Sequence, residues 1–319
     1  MSVLYLTEAD VDRLVEMPAA IDAVTEAFRR LAAAEADNVP RARAQAPGIV
    51  LHSMSAAAGY LGLVGWKCYT TTKQSAQFHL GLYSQDSGRL VALVEANRLG
   101  QIRTAATTAV AASWMAAADA HEIGLFGTGY QAAGQLAALA HVRKLKQVFV
   151  YSRDAARRTA FARRMSDELR LEVIAVDRPE EAAADLPIVV TATTSRSPVF
   201  DGARLSEGTL VCAVGSNWPN RAEIDATVVR RADNIVCDSV ECCRREAGDF
   251  ADALERGLFD WSRAVNLADV VAGRAVGRKS ADSIALFKSV GMAIEDVALG
   301  ALLLERAAAA GAGSKLPIT

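Results

Sequence analysis

The stretch GLFGTGYQAAGQL, residues 124–136, sets Gly127, Gly129 and Ala132 in the spacing G-x-G-x-x-A between an apolar run and an Ala-rich one. Glycines in such a spacing mark many turns. Here the surroundings are those a dinucleotide cradle demands: a strand before, a helix from about Tyr130 after, and a second strand, QVFV, roughly 20 residues on. Gly127 permits the tight turn, Gly129 lets the backbone approach a pyrophosphate, and Ala132 keeps the helix close to its strand. The amide groups at the helix start, around Tyr130 and Gln131, then face the phosphates.

Outward from that motif, the chain from His121 alternates strand and helix: EIGLFG, QVFVYS, LEVIAV, IVVTATT, TLVCAVG and NIVCDS are the strands, with a helix from about Asp154. The alternation predicts a parallel sheet covered by helices. The tail, SIALFKSVGMAIEDVALGALLLERAAAA, reads as one long amphipathic helix that returns to the first part of the chain.

The first part has another rhythm. Thr7 and Asp10 form a capping-box pattern, Pro18 suits a helix start, and Ile21, Val24, Phe28 and Leu31 make a helical stripe to about Glu35. A loop containing Pro40 and Pro47 follows. Short apolar runs between about Ile49 and Ala96 predict an antiparallel sheet with a turn at QDSGR. RTAATTAVAASWMAAA then reads as a helix with a small-residue face, begun by Arg103.

At 319 residues, 51% hydrophobic and 23% charged, the chain suits two globular domains. A net charge of -2 and a pI near 6.1 give no reason to expect nucleic acid or an anionic membrane as partner. Five cysteines (Cys68, Cys212, Cys237, Cys242, Cys243) without a C-x-x-C read as reduced thiols. The scattered histidines, His52, His79, His121 and His141, offer no metal set. With an acidic start and no run long enough for a membrane span, a cytoplasmic location is expected.

The end of the second strand discriminates between dinucleotides. An Asp or Glu there would hold the ribose hydroxyls of NAD, whereas VYSRDAARR presents Ser152, Arg153 and, one helical turn on, Arg157. A guanidinium matches a phosphate, so NADP(H) is favoured over NAD(H). Read without a cofactor, Arg153 is a solvated surface charge and Asp154 a helix cap.

Three basic residues stand out upstream: Arg41 in NVPRAR, Lys67 in VGWKCY and Arg103 in GQIRTAA. Lys67 interrupts an apolar strand, where a charge is costly unless paired. Arg103, at a helix start, would add its charge to the amide dipoles there. Each alone reads as a surface charge or structural ion pair. Jointly the three suit a substrate carboxylate.

The ordered series LTEADV, VPRAR, GWKCY, RTAATTAVAA, GTGYQA, AVGSNWPNRAEID and FKSVGMAIEDVA resembles the ornithine cyclodeaminase/mu-crystallin family over nearly the full length. That resemblance implies an α/β chain with a Rossmann-type parallel-sheet domain, 119–290, and a discontinuous α+β substrate-binding and dimerisation domain, 1–118 with 291–319. It implies a homodimer acting on a small imino or amino acid. Arg41, Lys67 and Arg103 would hold the carboxylate, with Lys67 beside the reacting centre. Thr104 would approach the cofactor diphosphate. Thr191, Ala192 and Thr193, with Val214 and Gly215, would line the nicotinamide side, and Ser289 to Gly291 would close the cleft.

Two positions depart from the cyclodeaminase pattern: Asn217 replaces a catalytic Asp in AVGSN, and His52 replaces a substrate-contacting Glu. An amide does not shuttle protons as a carboxylate does, which hinders multistep deamination more than one hydride transfer. The reading is therefore an imine (ketimine) reductase, with Asn217 orienting substrate or water. Its rivals are a cyclodeaminase or amino-acid dehydrogenase releasing ammonia, and an NADPH-dependent binding protein with little turnover. His52 reads equally as a packed sheet residue.

Overall fold

The computed structural model describes residues 2–317. Its first part runs β1 (Val3–Leu6), α1 (Glu8–Leu14), α2 (Met17–Ala32), β2 (Ala36–Ala46), β3 (Ile49–Ala58), β4 (Leu63–Thr71), β5 (Ala76–Ser84), β6 (Leu90–Glu95) and α3 (Asn97–Met115). The second part holds β7 (Glu122–Phe126), α4 (Tyr130–Val142), β8 (Gln147–Tyr151), α5 (Ala155–Leu169), β9 (Glu172–Ala175), β10 (Ile188–Thr191) and β11 (Leu210–Ala213). It continues through α6 (Ala226–Arg231), β12 (Asn234–Cys237), α7 (Val240–Glu246), α8 (Ala251–Glu255), β13 (Ala264–Asn266), α9 (Leu267–Val271) and β14 (Ala285–Lys288). The chain closes with α10 (Ala293–Ala310) and β15 (Ser314–Leu316). Two compact units result, one taking the chain up to Thr107 and again from Gly291, the other running from Thr108 to Val290.

In the first unit the strands form one sheet in the order β15-β1-β6-β5-β4-β3-β2. The helix start at Thr7 is the expected capping box, with the Thr7 hydroxyl on Asp10 N–H and the Asp10 carboxylate on Thr7 N–H. The hairpin between β5 and β6 turns at residues 85–89, where the QDSGR signal lies. Pro40 corrects the loop expectation: it sits inside β2, next to a register shift between Val39 and Ala42. β2 is the edge strand, so a residue without an N–H is accommodated at a bulge there.

The second unit carries an eight-stranded sheet, β13-β12-β14-β11-β10-β7-β8-β9, with every neighbouring pair parallel. β10, β11, β12 and β14 are buried at every residue, as parallel strands covered on both faces must be. Strand order reverses around β7, with β8 on one side and β10 on the other. The crevice beyond the carboxyl end of β7 is the switch point at which such sheets bind ligands.

The tail departs from expectation. Instead of one long helix, SIALFK contributes β14, a central strand between β11 and β12, and only Ala293–Ala310 is helical. A short apolar run does not distinguish a buried strand from a buried helix by periodicity, and Gly291 at φ 84° breaks the run. Among the described residues no helix is long and apolar enough to cross a membrane.

Candidate functional site

In the first unit, β4 places Lys67 on the buried sheet face, in one cross-strand row with Met54 and Leu80. Lys67 is 1% exposed, its ammonium pairs with Asp296 Oδ1 at 2.7 Å, and Asp296 is wholly buried. Arg103 donates Nε to the same Asp296 oxygen at 3.1 Å and Nη1 to Glu295 Oε2 at 2.8 Å. One pair of acids in the first turn of α10 therefore holds two cations that lie far apart in sequence.

Arg103 is not at a helix start, as the sequence reading had it. α3 begins at Asn97, so Arg103 lies beyond the first turn, where the exposed amide dipoles no longer act. Its environment is set by carboxylates. Burial works against its charge, but Asp296 and Glu295 outweigh that and hold its pKa above the ordinary value. For Lys67 the balance reverses: burial, then the neighbouring Arg103 charge, pushes it down to about 8 against the pull of Asp296. A lysine titrating there exchanges a proton near neutral pH.

Arg41 reaches from the edge strand: Nη2 donates to Gly291 O at 3.4 Å, and the guanidinium lies 6.0 Å from the Tyr69 ring centroid. Gly291 has φ 84°, backbone that favours glycine, and a Cβ there would come 2.6 Å from Arg103 Nη1. His52 stacks on Tyr69 with ring centroids 4.2 Å apart, and Tyr69 stacks on Phe78 at 4.7 Å. His52 Nε2 lies 3.0 Å from Thr71 Oγ1, and burial with the charges of Arg43 and Arg41 pushes its pKa down to about 4. At neutral pH it is an uncharged, packed imidazole. Thr104 turns its hydroxyl back to Gly100 O at 2.7 Å within α3.

In the second unit the remaining sequence-selected residues gather at the carboxyl ends of neighbouring parallel strands. Gly127 follows β7 at φ 113°, and a Cβ on it would meet Ala192 O at 2.4 Å, so the turn is open to glycine alone. Gly129 is the N-cap of α4, makes no side-chain cap, and would have nothing within 4 Å of an added Cβ. The amides of Tyr130 and Gln131 thus begin a helix beside open space, and Ala132 is fully buried behind them. Ser152 and Arg153 follow β8; the Ser152 hydroxyl donates to Asp154 O at 3.1 Å, and Asp154 caps α5 through Arg157 N–H at 3.0 Å. Arg153 and Arg157 are exposed. Thr191 ends β10 and Ala192 and Thr193 follow it; Val214, Gly215 and Asn217 follow β11; Ser289 follows β14 and donates to Asp238 Oδ2 at 2.8 Å. A glycine turn leading into a helix start, with open space at Gly129, fits a diphosphate, and the same residues would hold a dinucleotide.

Sequence reasoning passed over several buried charges, among them Glu295 and Asp296 in the first unit and Glu223, Asp249 and Lys288 in the second. The cue that singled out Lys67, a charge inside an apolar run, applies equally to Lys288 in SIALFKSV and to the two acids in GMAIEDVALG. Partners for those charges come from distant segments, which the linear pattern does not display.

A doubly wound parallel sheet with a glycine turn at its switch point, joined to a mixed sheet that buries a lysine–arginine–carboxylate cluster, defines an α/β protein of the Rossmann type. The sequence profile of the ornithine cyclodeaminase/mu-crystallin family matches residues 1–311, and the chain belongs to that family. It is 31% identical to a Delta(1)-pyrroline-2-carboxylate reductase of Bacillus cereus, over 88% of this chain and 87% of the relative. The solved Thermococcus litoralis Delta(1)-pyrroline-2-carboxylate reductase, in complex with NADH and L-proline, superposes with a TM-score of 0.95 at 30% identity, covering 98% of this chain and 100% of that one. An archaeal alanine dehydrogenase dimer with bound NAD gives a TM-score of 0.94 at 28% identity, with both chains covered completely.

Proposed function

We propose that the chain is a nicotinamide-dependent reductase of imino acids, acting on a cyclic ketimine of the pyrroline- or piperideine-2-carboxylate type. The observation that carries this reading is the buried Lys67 ammonium, held by Asp296 with its pKa brought down to about 8. Arg41 and Arg103 would fix the substrate carboxylate and Lys67 would give its proton to the imine nitrogen. When bound, the nicotinamide cofactor supplies the hydride that reduces the imine carbon. Asn217 would orient the substrate or a water. His52, neutral and packed on Tyr69, offers no anion for the distal ammonium of a diamino acid, which favours imine reduction over cyclodeamination.

Around the cofactor, Gly127, Gly129, Tyr130, Gln131 and Ala132 would hold the diphosphate together with Thr104. Thr191 to Thr193, Val214, Gly215, Ser289 and Gly291 would line its nicotinamide end. The reading includes residues 119–290 as the dinucleotide domain and 1–118 with 291–319 as the substrate and dimerisation domain. It also includes a homodimer, supported by the dimeric alanine dehydrogenase and by the exposed Val39, Leu51 and Val64 on the sheet face opposite Lys67. Free cysteines accord with a cytoplasmic setting.

The direct test follows NADPH and NADH oxidation with pyrroline-2-carboxylate and piperideine-2-carboxylate. Turnover is expected, and silence with every pairing, alongside ammonia release from ornithine or lysine, would overturn the reading. The pH profile is diagnostic. Reduction needs the Lys67 ammonium, so kcat/KM is level below about pH 8 and falls about tenfold per unit above it. In Asp296→Asn the carboxylate that raises the Lys67 pKa is gone, so the fall begins at lower pH; an unmoved profile would remove Lys67 from the proton transfer.

NADP(H) is the cofactor of this reading, because Arg153 and Arg157 stand exposed where a 2′-phosphate would lie and no acid takes the ribose. Arg153→Asp is expected to raise the Kd for NADPH about tenfold while leaving NADH within about twofold. Wild-type protein that binds NADH as tightly as NADPH would reverse the preference.

A further inference from the structure

β10 and β11 are neighbours, and the loops leaving them, around Thr193 and Gly215, are those that line the nicotinamide end in the reading above, on which this inference rests. One carboxylate joins the two loops. Glu223, wholly buried, accepts hydrogen bonds from Thr193 N–H at 2.6 Å, Thr193 Oγ1 at 2.7 Å, Gly215 N–H at 2.6 Å and Thr191 Oγ1 at 3.0 Å. An added Cβ on Gly215 would stand 2.4 Å from Glu223 Oε1, so the β11 loop closes directly onto the carboxylate.

Glu223 is in turn held by a second buried pair. Its backbone N–H donates to Asp249 Oδ1 at 2.6 Å, and Asp249 Oδ2 pairs with Lys288 Nζ at 2.7 Å. Lys288 closes the circuit by donating to Ser216 O at 2.8 Å, on the same β11 loop. Burial pushes the Glu223 carboxyl up and the Lys288 charge opposes this. Burial likewise works against the Lys288 ammonium, but Asp249 and Glu223 outweigh it and hold that pKa above the ordinary value.

Buried charge of this kind is a poor way to hold two strands together, since apolar side chains of similar volume do so at no electrostatic cost. What it supplies is directional: irregular backbone at strand ends has N–H groups that need fixed acceptors. Three donors from two loops and one from the last residue of β10 meet on one carboxylate, which sets the distance between the loops as packing alone does not. We infer that Glu223 is a positioning residue, which fixes Thr193 and Gly215 for the nicotinamide half of the cofactor and leaves the adenosine half to the glycine turn.

The test separates the two halves of the ligand. Dissociation constants for ADP-ribose, NADH and NADPH are measured calorimetrically on wild type, Glu223→Gln, Thr193→Val and Thr193→Ser. Glu223→Gln is expected to keep ADP-ribose within about twofold while weakening the preferred nicotinamide dinucleotide about tenfold or more. Thr193→Val, which removes one of the four bonds, moves in the same direction by less, and Thr193→Ser, which keeps the hydroxyl, restores the wild-type ratio. Unchanged affinities for both ligands would overturn the inference, and so would parallel loss of both, the signature of a scaffold defect. Should Glu223→Gln not fold, the Thr193 pair decides by the same criterion. Wild-type protein that binds neither NADH nor NADPH more tightly than ADP-ribose overturns the nicotinamide reading itself, before any variant is compared.

Discussion

Lys67→Met is expected to lower kcat/KM for imine reduction by about 10²–10⁴, the usual contribution of a positioned acid, while dinucleotide affinity stays at the wild-type value. Methionine preserves most of the volume of the buried side chain and removes only its proton and charge. Asp296 keeps a partner in the variant, because Arg103 Nε bonds the same oxygen at 3.1 Å. The chain should therefore fold, and the loss should appear in turnover. Lys67→Arg sharpens the result: it restores the positive charge beside Asp296 but carries a group that stays protonated throughout the accessible pH range. If proton donation is the role of Lys67, the arginine variant remains inactive, and recovery of activity with arginine would show that the charge alone was needed. Steady-state oxidation of NADPH and NADH, with a separate cofactor titration, reads both quantities.

Arg103→Met should produce the largest loss of stability of any single change in the first unit. Its guanidinium bonds two wholly buried carboxylates, Glu295 and Asp296, and removing one partner of a buried ion pair costs about 3–5 kcal/mol. Urea denaturation should register a lower midpoint with an unchanged slope. In whatever fraction remains folded, KM for the imino acid should rise by about tenfold to a hundredfold, the worth of a charge-assisted hydrogen bond to a carboxylate. Arg103→Lys recovers part of the stability and little of the binding, since a point charge does not reach both carboxylates at once. An unchanged denaturation midpoint in Arg103→Met would mean that Glu295 and Asp296 are satisfied without it.

These two residues illustrate how differently the parts of the chain could be read. Lys67 was conspicuous because a lysine inside GWKCY breaks an apolar strand, and the structure finds the partner that such a break requires. Arg103 was conspicuous for a reason that fails, since α3 starts at Asn97 and the arginine is surrounded by acids. The capping box at Thr7, the β5–β6 turn and the helix beginning at Tyr130 were legible because each is a local arrangement, fixed by side chains within a few residues of one another. β14 was not, because its four residues are a strand only by virtue of β11 and β12 lying on either side.

The sequence by itself determined the six strands β7 to β12 and the helices that follow β7 and β8, the glycine turn at Gly127 and Gly129, and the arginines after β8, whereas β9, β10 and β11 follow one another without an α-helix between them. Periodicity, turn chemistry and steric freedom act over a handful of neighbouring residues and leave their mark in order along the chain. Only the tertiary structure decided that Asp296 and Glu295 hold Lys67 and Arg103, and that Glu223, Asp249 and Lys288 tie two strand-end loops together. Ion pairing in a low-dielectric interior acts through space between segments up to 229 residues apart. It depends on which side chains the fold brings within 3 Å, a distance that no local pattern encodes.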